Sequence, residues 1–480
     1  MIDIKNSTID IVSLVKVALS AIIFVLIAYR AYSSGITYGE AYTYLYYVVE
    51  PLAGPWDRLL IFSNGNNHLL NTFLVKAVHK LGPFNEWLIR LPNVLAFVAF
   101  VTAAILLTKT RENKLFSLAI FMALVLSVRH TEFFGLARGY GLGLALGLWG
   151  ILFFSKALKT SSEKILRFIA PGSFCIALAT WSNFSFLYLA AALPLAFLVT
   201  RTDSARELFA AVFSSWRGNK GSCVLIAGSF VLIILAAMVA SQINFPTAEF
   251  NYFWDAIFPD QIQGVLQVFL LFGLERTEAV KALLLIWVAL YLLAVRRNLF
   301  FSNLFLILTL LSCFVPWLVQ QQMMTGRTTL YFYPVIVLSL GELSWNFFGS
   351  KSKTSFRFIK SVSLILICVY SAVNFFSQFS LDRTQHVRWD YGYRAAVEQY
   401  REHLATAYQS GSKPILCMRD HPSVHFYIHK ASLYKFPFTV SARPEGFCGA
   451  RYIHPDEEIK ISNEDLVQEL PWGRLVIYVN

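Results

Sequence analysis

IVSLVKVALSAIIFVLIAY, residues 11–29, runs nineteen positions with one charge, Lys16. At about 1.5 Å of rise per helical residue it covers most of the roughly 30 Å hydrocarbon core of a bilayer. No small-x-small cleavage site follows it, so the run reads as a retained first span rather than a signal peptide. Lys16 lies near the cytoplasmic end, where its stem can carry the ammonium outward to the headgroups. Further apolar runs follow at 87–108, 115–128, 136–154, 166–180, 184–200, 223–240, 279–295, 299–319, 330–347 and 361–379. The fifth and sixth meet through Trp181-Ser182-Asn183, a tight turn between helices. Residues 261–273 are apolar but short, which suits an interfacial or re-entrant segment.

The expectation is an α-helical polytopic membrane protein with about eleven transmembrane helices. The composition agrees: 480 residues are 56% hydrophobic and only 15% charged, too few polar groups to clothe a soluble core of this size. The formal charge of +12 would suggest nucleic acid in a soluble chain. Here residues 381–480 are neutral, with twelve basic and twelve acidic residues, and the whole excess sits in residues 1–380. It falls in short loops: Lys109/Arg111/Lys114, Lys156/Lys159/Lys164/Arg167, Arg201/Arg206/Arg217/Lys220, Arg296/Arg297 and Lys351/Lys353/Arg357/Lys360. The connections between them, 129–138, 181–183 and 320–329, hold few or no cations. That alternation is topology rather than nucleic-acid binding; it puts the N-terminus in the cytoplasm and, with an odd number of spans, the tail outside.

Two outer stretches are long, 31–86 and 242–278; the first is rich in Tyr, Trp and Asn and contains an apolar helical segment at 69–81. Residues 381–480 change character: an amphipathic helix at 393–408, a short strand at 413–417, a helix at 422–430 and a last strand at 475–479 predict a small extracytoplasmic α/β domain. Cys175, Cys223, Cys313 and Cys368 lie in or beside apolar runs and read as buried thiols. Cys417 and Cys448 share the tail, where an oxidising compartment would let them pair. His421, His425 and His429 recur every fourth residue, but without a fourth ligand the spacing does not make a zinc site.

Charged groups at membrane depth are expensive and mark candidate sites. Glu40, in GITYGEAYTY (35–44), follows the first span among aromatic residues that could exclude water and raise its basicity, as a general base requires; a solvated interfacial carboxylate is the structural alternative. Glu50 and Asp57 are lesser candidates in the same loop. Glu132 and Arg138, in RHTEFFGLARGYG (129–141), sit at the outer turn before the fourth span. They form either an ion pair with each other or a catalytic carboxylate beside a phosphate-binding guanidinium. Arg327, in TGRTTLYFYP (325–334), is the lone cation of an outer loop, next to Tyr331; it marks an anion site or a phospholipid headgroup contact. Asn66, Asn67 and His68 open an apolar helix and could cap it or bind phosphate or sugar. Together these groups suit a reaction in which cations stabilise a departing phosphate and a carboxylate takes a hydroxyl proton.

These segments, in this order, resemble the GT-C superfamily of polyprenyl-phosphate-sugar-dependent glycosyltransferases. The nearest likeness is to the bacterial branch related to protein O-mannosyltransferases and the lipid A aminoarabinose transferase. The resemblance is carried by YGEAY (38–42), NHLL (67–70), LGPFNEWLIRLP (81–92), FGLARGY (134–140) and RTTLYFYP (327–334), and by the outer tail. It departs at Gly39-Glu40, where the family has Asp-Glu, so Glu40 must substitute for the aspartate or act with Glu50, Asp57 or Glu132. The resemblance implies a membrane-embedded unit over 1–380 and an extracytoplasmic domain over 381–480. It implies inverting transfer of a sugar from a polyprenyl-phosphate donor to a lipid, polysaccharide or protein acceptor. The location implied is the bacterial inner membrane with a periplasmic or extracellular tail, with no cofactor and no divalent metal required. The site residues implied are Glu40 and Glu132 for catalysis, and His68, Asn67, Arg138, Arg327 and Tyr331 for binding. A transporter or flippase of lipid-linked sugars would instead place charges and helix breaks near mid-bilayer. A non-catalytic assembly subunit would tolerate Glu40→Gln.

Overall fold

The computed structural model describes residues 10–49, 68–109, 113–161, 164–201, 220–241, 299–318, 330–348 and 354–381, with single positions in 287–292 and short pieces of 394–477. The described chain is mostly helical. In order come α1 (Ile11–Ser33), α2 (Tyr38–Thr43), a π-helical turn (Tyr44–Val49), α3 (Leu69–His79), α4 (Glu86–Leu107), α5 (Lys114–Val125) and α6 (Val128–Phe134). There follow α7 (Gly139–Leu158), α8 (Leu166–Ser182), a 3-10 turn (Phe184–Phe186), α9 (Leu187–Thr200), α10 (Lys220–Ser241), α11 (Phe300–Leu318), α12 (Phe332–Phe348) and α13 (Thr354–Gln378). Among the described residues five helices are long and apolar enough to cross a bilayer: Ile11–Ser33, Glu86–Leu107, Gly139–Leu158, Lys220–Ala240 and Ser361–Gln378. Shorter apolar helices, Lys114–Val125, Leu166–Ser182, Phe184–Thr200 and Phe300–Ser312, pack among them. The run at 279–295 lies outside the described residues except at Trp287, Val288, Tyr291 and Leu292. Ile22 and Val25 on α1, Val224 and Phe230 on α10, and Val373 and Phe376 on α13 stand exposed, a surface that is stable only against lipid. The chain is an integral membrane protein.

Local sequence sets the helix ends. Asp10 caps α1 and Asn85 caps α4, each side-chain oxygen accepting an amide proton of the first turn. Lys16 departs from its expected outward reach. It is buried, and its Nζ donates to Thr108 Oγ1 (2.9 Å) and Ser117 Oγ (2.6 Å), so hydroxyls from the end of α4 and from α5 hold the ammonium inside. Deeper in the bundle, Oε2 of Glu342 on α12 accepts both the amide and the hydroxyl of Ser302 at 2.9 Å, capping α11 from the side.

The centre of the bundle is the α7–α8 pair. Gly143 and Gly147 rest on the Phe186 ring and Gly150 on Ile176, so α7 approaches its neighbours at backbone distance. Gly139, the first residue of α7, is the tightest backbone contact: a Cβ there would stand 1.9 Å from Ser182 O and 2.7 Å from His68 Cβ. A carbonyl oxygen of a neighbouring helix end cannot swing away. Gly139→Ala should therefore lower stability by about 1–3 kcal/mol, read as a drop in thermal midpoint in detergent; an unchanged midpoint would mean the two helix ends are not in contact.

In the tail, strands β1 (Leu416–Cys417), β2 (Val440–Ser441), β3 (Ala450–Ile453), β4 (Leu466–Leu470) and β5 (Gly473–Ile477) form one sheet in the order β2-β1-β3-β5-β4. β1 runs parallel to β2 and β3, while β5 is antiparallel to β3 and β4. Arg394, Val397 and Glu398 are helical, as are Ser423, Phe426, Tyr427 and Lys430. Cys175, Cys223 and Cys368 are free thiols, whereas Cys448 and the three tail histidines lie outside the described residues.

Candidate active site at one end of the bundle

The turn from α1 into α2 is built around Arg90, which α4 sends in fully buried. All its N–H groups are engaged. Nη1 donates to Ala31 O (3.0 Å), Ser34 O (2.8 Å) and Ser34 Oγ (3.0 Å), and Nη2 donates to Gly35 O at 2.6 Å. The remaining two bonds form a fork on Glu40, Nε to Oε1 at 2.8 Å and Nη2 to Oε2 at 2.7 Å. Glu40 also accepts Thr37 N–H on Oε2 (2.9 Å) and Ala137 N–H on Oε1 (2.6 Å). Burial would raise its pKa, but the Arg90 guanidinium and the two amides outweigh it and hold the carboxyl below the ordinary carboxylate range. Each oxygen thus receives two donors, so in this arrangement Glu40 has no lone pair to offer a substrate proton and low basicity besides. The aromatic neighbours expected to raise that basicity are present, yet Arg90 decides the sign. In this arrangement Glu40 joins three chain segments.

Glu132 is likewise buried, but its ion-pair partner is Arg30 rather than Arg138, with Nη1 to Oε1 at 3.6 Å. Arg30 Nη2 donates to the carbonyl of Glu132 at 2.7 Å, and the guanidinium lies over the Phe379 ring at 4.6 Å. Of the two alternatives for Glu132 and Arg138, the mutual ion pair is not formed: past Phe134 the chain turns, and Arg138 heads for α2. There its guanidinium fills the space above Gly39: a Cβ on Gly39 would be 1.3 Å from Arg138 Nη1. Arg138 also lies 5.9 Å from the Tyr140 ring centre.

Two buried amides secure the same turn. Asn71 of α3 donates to Ala137 O (3.0 Å), and Asn93 of α4 donates to Asn71 Oδ1 (2.6 Å) while accepting Leu142 N–H (3.2 Å). His68 occupies the first-cap position of α3 without a capping bond; its ring meets Tyr140 edge-on at 4.9 Å. Beside the same turn, His130 contacts Leu330 O through Nε2 (2.9 Å) and stacks on Tyr333 at 4.3 Å. Tyr331, next along, is buried against Phe186 at 5.4 Å. The segment after Arg327 therefore reaches this end of the bundle. Arg327, Asn67, Glu50 and Asp57 lie outside the described residues. Among the described residues no cluster of three metal-ligating side chains occurs.

Sequence reasoning overlooked Arg30, Arg90, Asn71 and Asn93. The signal was available for Arg90, a charge four residues into an apolar run, which needs a buried partner. Around the turn, among described residues, three arginines (Arg30, Arg90 and Arg138) and two carboxylates (Glu40 and Glu132) come together.

No protein-family model matches the chain, and no curated protein sequence matches it. Solved structures do. The crystal structure of ArnT from Cupriavidus metallidurans bound to undecaprenyl phosphate superposes with a TM-score of 0.50 at 11% identity, covering 97% of each chain. A looser likeness, at a TM-score of 0.45 and 13% identity, joins 88% of this chain to 64% of the archaeal oligosaccharyltransferase AglB from Archaeoglobus fulgidus, solved with an inhibitory peptide and a dolichol-phosphate. With the likeness running along almost the whole of both chains, the protein has the fold of that ArnT structure.

Proposed function

We propose that the chain is a membrane glycosyltransferase that takes a sugar from a polyprenyl-phosphate carrier and delivers it, with inversion, to an acceptor outside the cytoplasm. The observation that carries this reading is the seat of the buried Arg138 guanidinium directly over Gly39, at the turn where α2 meets the start of α7. A guanidinium fork suits a phosphate monoester or diester. The shared fold with ArnT, captured with undecaprenyl phosphate, supports a lipid-linked donor. In this reading residues 1–380 are the embedded unit of eleven spans, with the N-terminus in the cytoplasm. Residues 381–480 stand in the periplasm or outside the cell. His68, Asn67, Arg327 and Tyr331 complete the donor site.

The acceptor hydroxyl attacks the anomeric carbon as the bond from that carbon to the phosphate oxygen breaks; the polyprenyl phosphate leaves with the electron pair, stabilised by Arg138. The hydroxyl proton needs a base. We assign this role to Glu132, the second buried carboxylate of the turn, because the Glu40 carboxylate is closed by the Arg90 fork and two backbone amides. These steps do not require a metal. A transporter reading is weaker, since the site's charged pairs gather at one end of the bundle rather than along a path.

Radiolabelled donor and native membranes test this. The wild type should bind the polyprenyl-phosphate sugar and transfer its label, and Glu132→Gln should slow transfer by about 10²–10⁴-fold with donor binding kept. Transfer by Glu132→Gln at the wild-type rate would remove Glu132 as base; a wild type that binds no donor would overturn the reading itself.

A further inference from the structure

The turn that carries Gly39 beneath Arg138 is fixed by donors and acceptors at four consecutive residues. Ser34 and Gly35 give their carbonyls to Arg90, and Thr37 gives its amide to Glu40. Ile36 is held from elsewhere: its N–H donates to the hydroxyl of Tyr427, in the tail, at 2.6 Å across 391 residues of chain. Tyr427 is buried, and its neighbours fasten the same seam. Phe426 sits edge-on to Tyr44 at 5.4 Å and 5.6 Å from Phe84. Lys430 bonds Glu86 at 2.5 Å, at the start of the helix that supplies Arg90. Arg394 reaches Ser33 O at 3.5 Å, and Ser33 Oγ donates to Leu381 O at 2.9 Å. Tyr44, at the end of α2, accepts Phe84 N–H at 2.7 Å, so the 82–86 turn and α2 move as one piece with this tail segment.

We propose that Tyr427 is a positioning residue of the active site, and that the tail segment around it is a working part of the catalytic unit. By holding the Ile36 amide it sets the entry of α2, hence the height of Gly39, hence the seat of the Arg138 guanidinium. This rests on the donor-binding role given to Arg138 above. Tyr427→Phe keeps the ring and its packing but leaves the Ile36 N–H buried without an acceptor, a perturbation confined to the turn.

The test uses full-length protein in nanodiscs and two readouts. Hydrogen exchange of residues 35–40 should accelerate at least about tenfold in Tyr427→Phe, while α7 and α8 keep their protection. In radiolabelled transfer, the donor KM should rise by roughly tenfold. A merely structural role would lower the amount of active protein, and so apparent kcat, with KM unchanged; that result overturns the proposal, as does unchanged exchange at Ile36. Lys430→Met, which loosens the seam without touching Ile36, should shift KM less than Tyr427→Phe, and the reverse order would count against Tyr427. If the wild type transfers nothing, the functional reading fails, and exchange at 35–40 still decides whether Tyr427 holds the turn.

Discussion

Arg90→Met should unfold or severely destabilise the protein, by about 3–5 kcal/mol, the penalty for leaving one member of a buried ion pair without its partner. Methionine keeps much of the arginine volume, so the loss is electrostatic: Glu40 would remain inside with only the Thr37 and Ala137 amides, and the carbonyls of Ala31, Ser34 and Gly35 would lose their donor. The pH dependence should reverse as well. In the wild type the folded-state pKa of Glu40 lies below its ordinary value, so the pair's stabilisation is present above that ordinary value and is lost as pH falls through the lowered one. In Arg90→Met, burial dominates and raises the folded pKa; the variant should then be most stable in acid and weaken as pH rises past about 4.3. Thermal unfolding of both proteins between about pH 2 and 8 measures the two slopes, and Arg90→Met with Glu40→Leu should recover part of the loss. Parallel slopes would mean Arg90 does not govern the Glu40 charge. Glu40→Gln alone is a poor test of catalysis, since its NH₂ would face Arg90 or a backbone N–H where a lone pair is needed.

Much of this architecture was legible because lipid removes ambiguity. The run at 11–29 and the helix Ile11–Ser33 start at the same residue, and the 184–200 run corresponds to a 3-10 turn leading into α9. A bilayer leaves an apolar backbone no alternative to internal hydrogen bonding, so hydropathy alone marks such helices. Pairing among charges was not legible. Glu132 and Arg138 are six residues apart and left mutual pairing open, yet Glu132 pairs with Arg30 and Arg138 crosses to Gly39, contacts 102 and about 100 residues distant in sequence. Periodicity carries no information about which guanidinium a carboxylate meets across a bundle. The seam at Tyr427 was hidden for the same reason: an aromatic ring in a tail helix looks like core until its hydroxyl is seen against Ile36.

Arg138→Ala should reduce transfer by about 10²–10³-fold, the usual consequence of removing one donor to a developing oxyanion. Arg138→Lys should recover a fraction, because an ammonium keeps the charge but loses the two-pronged geometry. The sharper experiment leaves Arg138 in place and moves it. At Gly39 a methyl group would coincide with Arg138 Nη1, 1.3 Å away, and the guanidinium, at the end of a flexible side chain, can swing aside with little strain elsewhere. Gly39→Ala should therefore keep the wild-type thermal midpoint while raising the donor KM by roughly tenfold or more, the converse of Gly139→Ala, whose neighbour is an immovable carbonyl. Gly39→Asp gives the Asp-Glu pair common in the resembling superfamily, but here its carboxylate would stand against the Arg138 guanidinium and compete with a phosphate for it. It should weaken donor binding at least as much as Gly39→Ala. A Gly39→Asp protein that binds donor as well as the wild type would show that the guanidinium above Gly39 does not meet the phosphate, and the donor site would have to lie elsewhere.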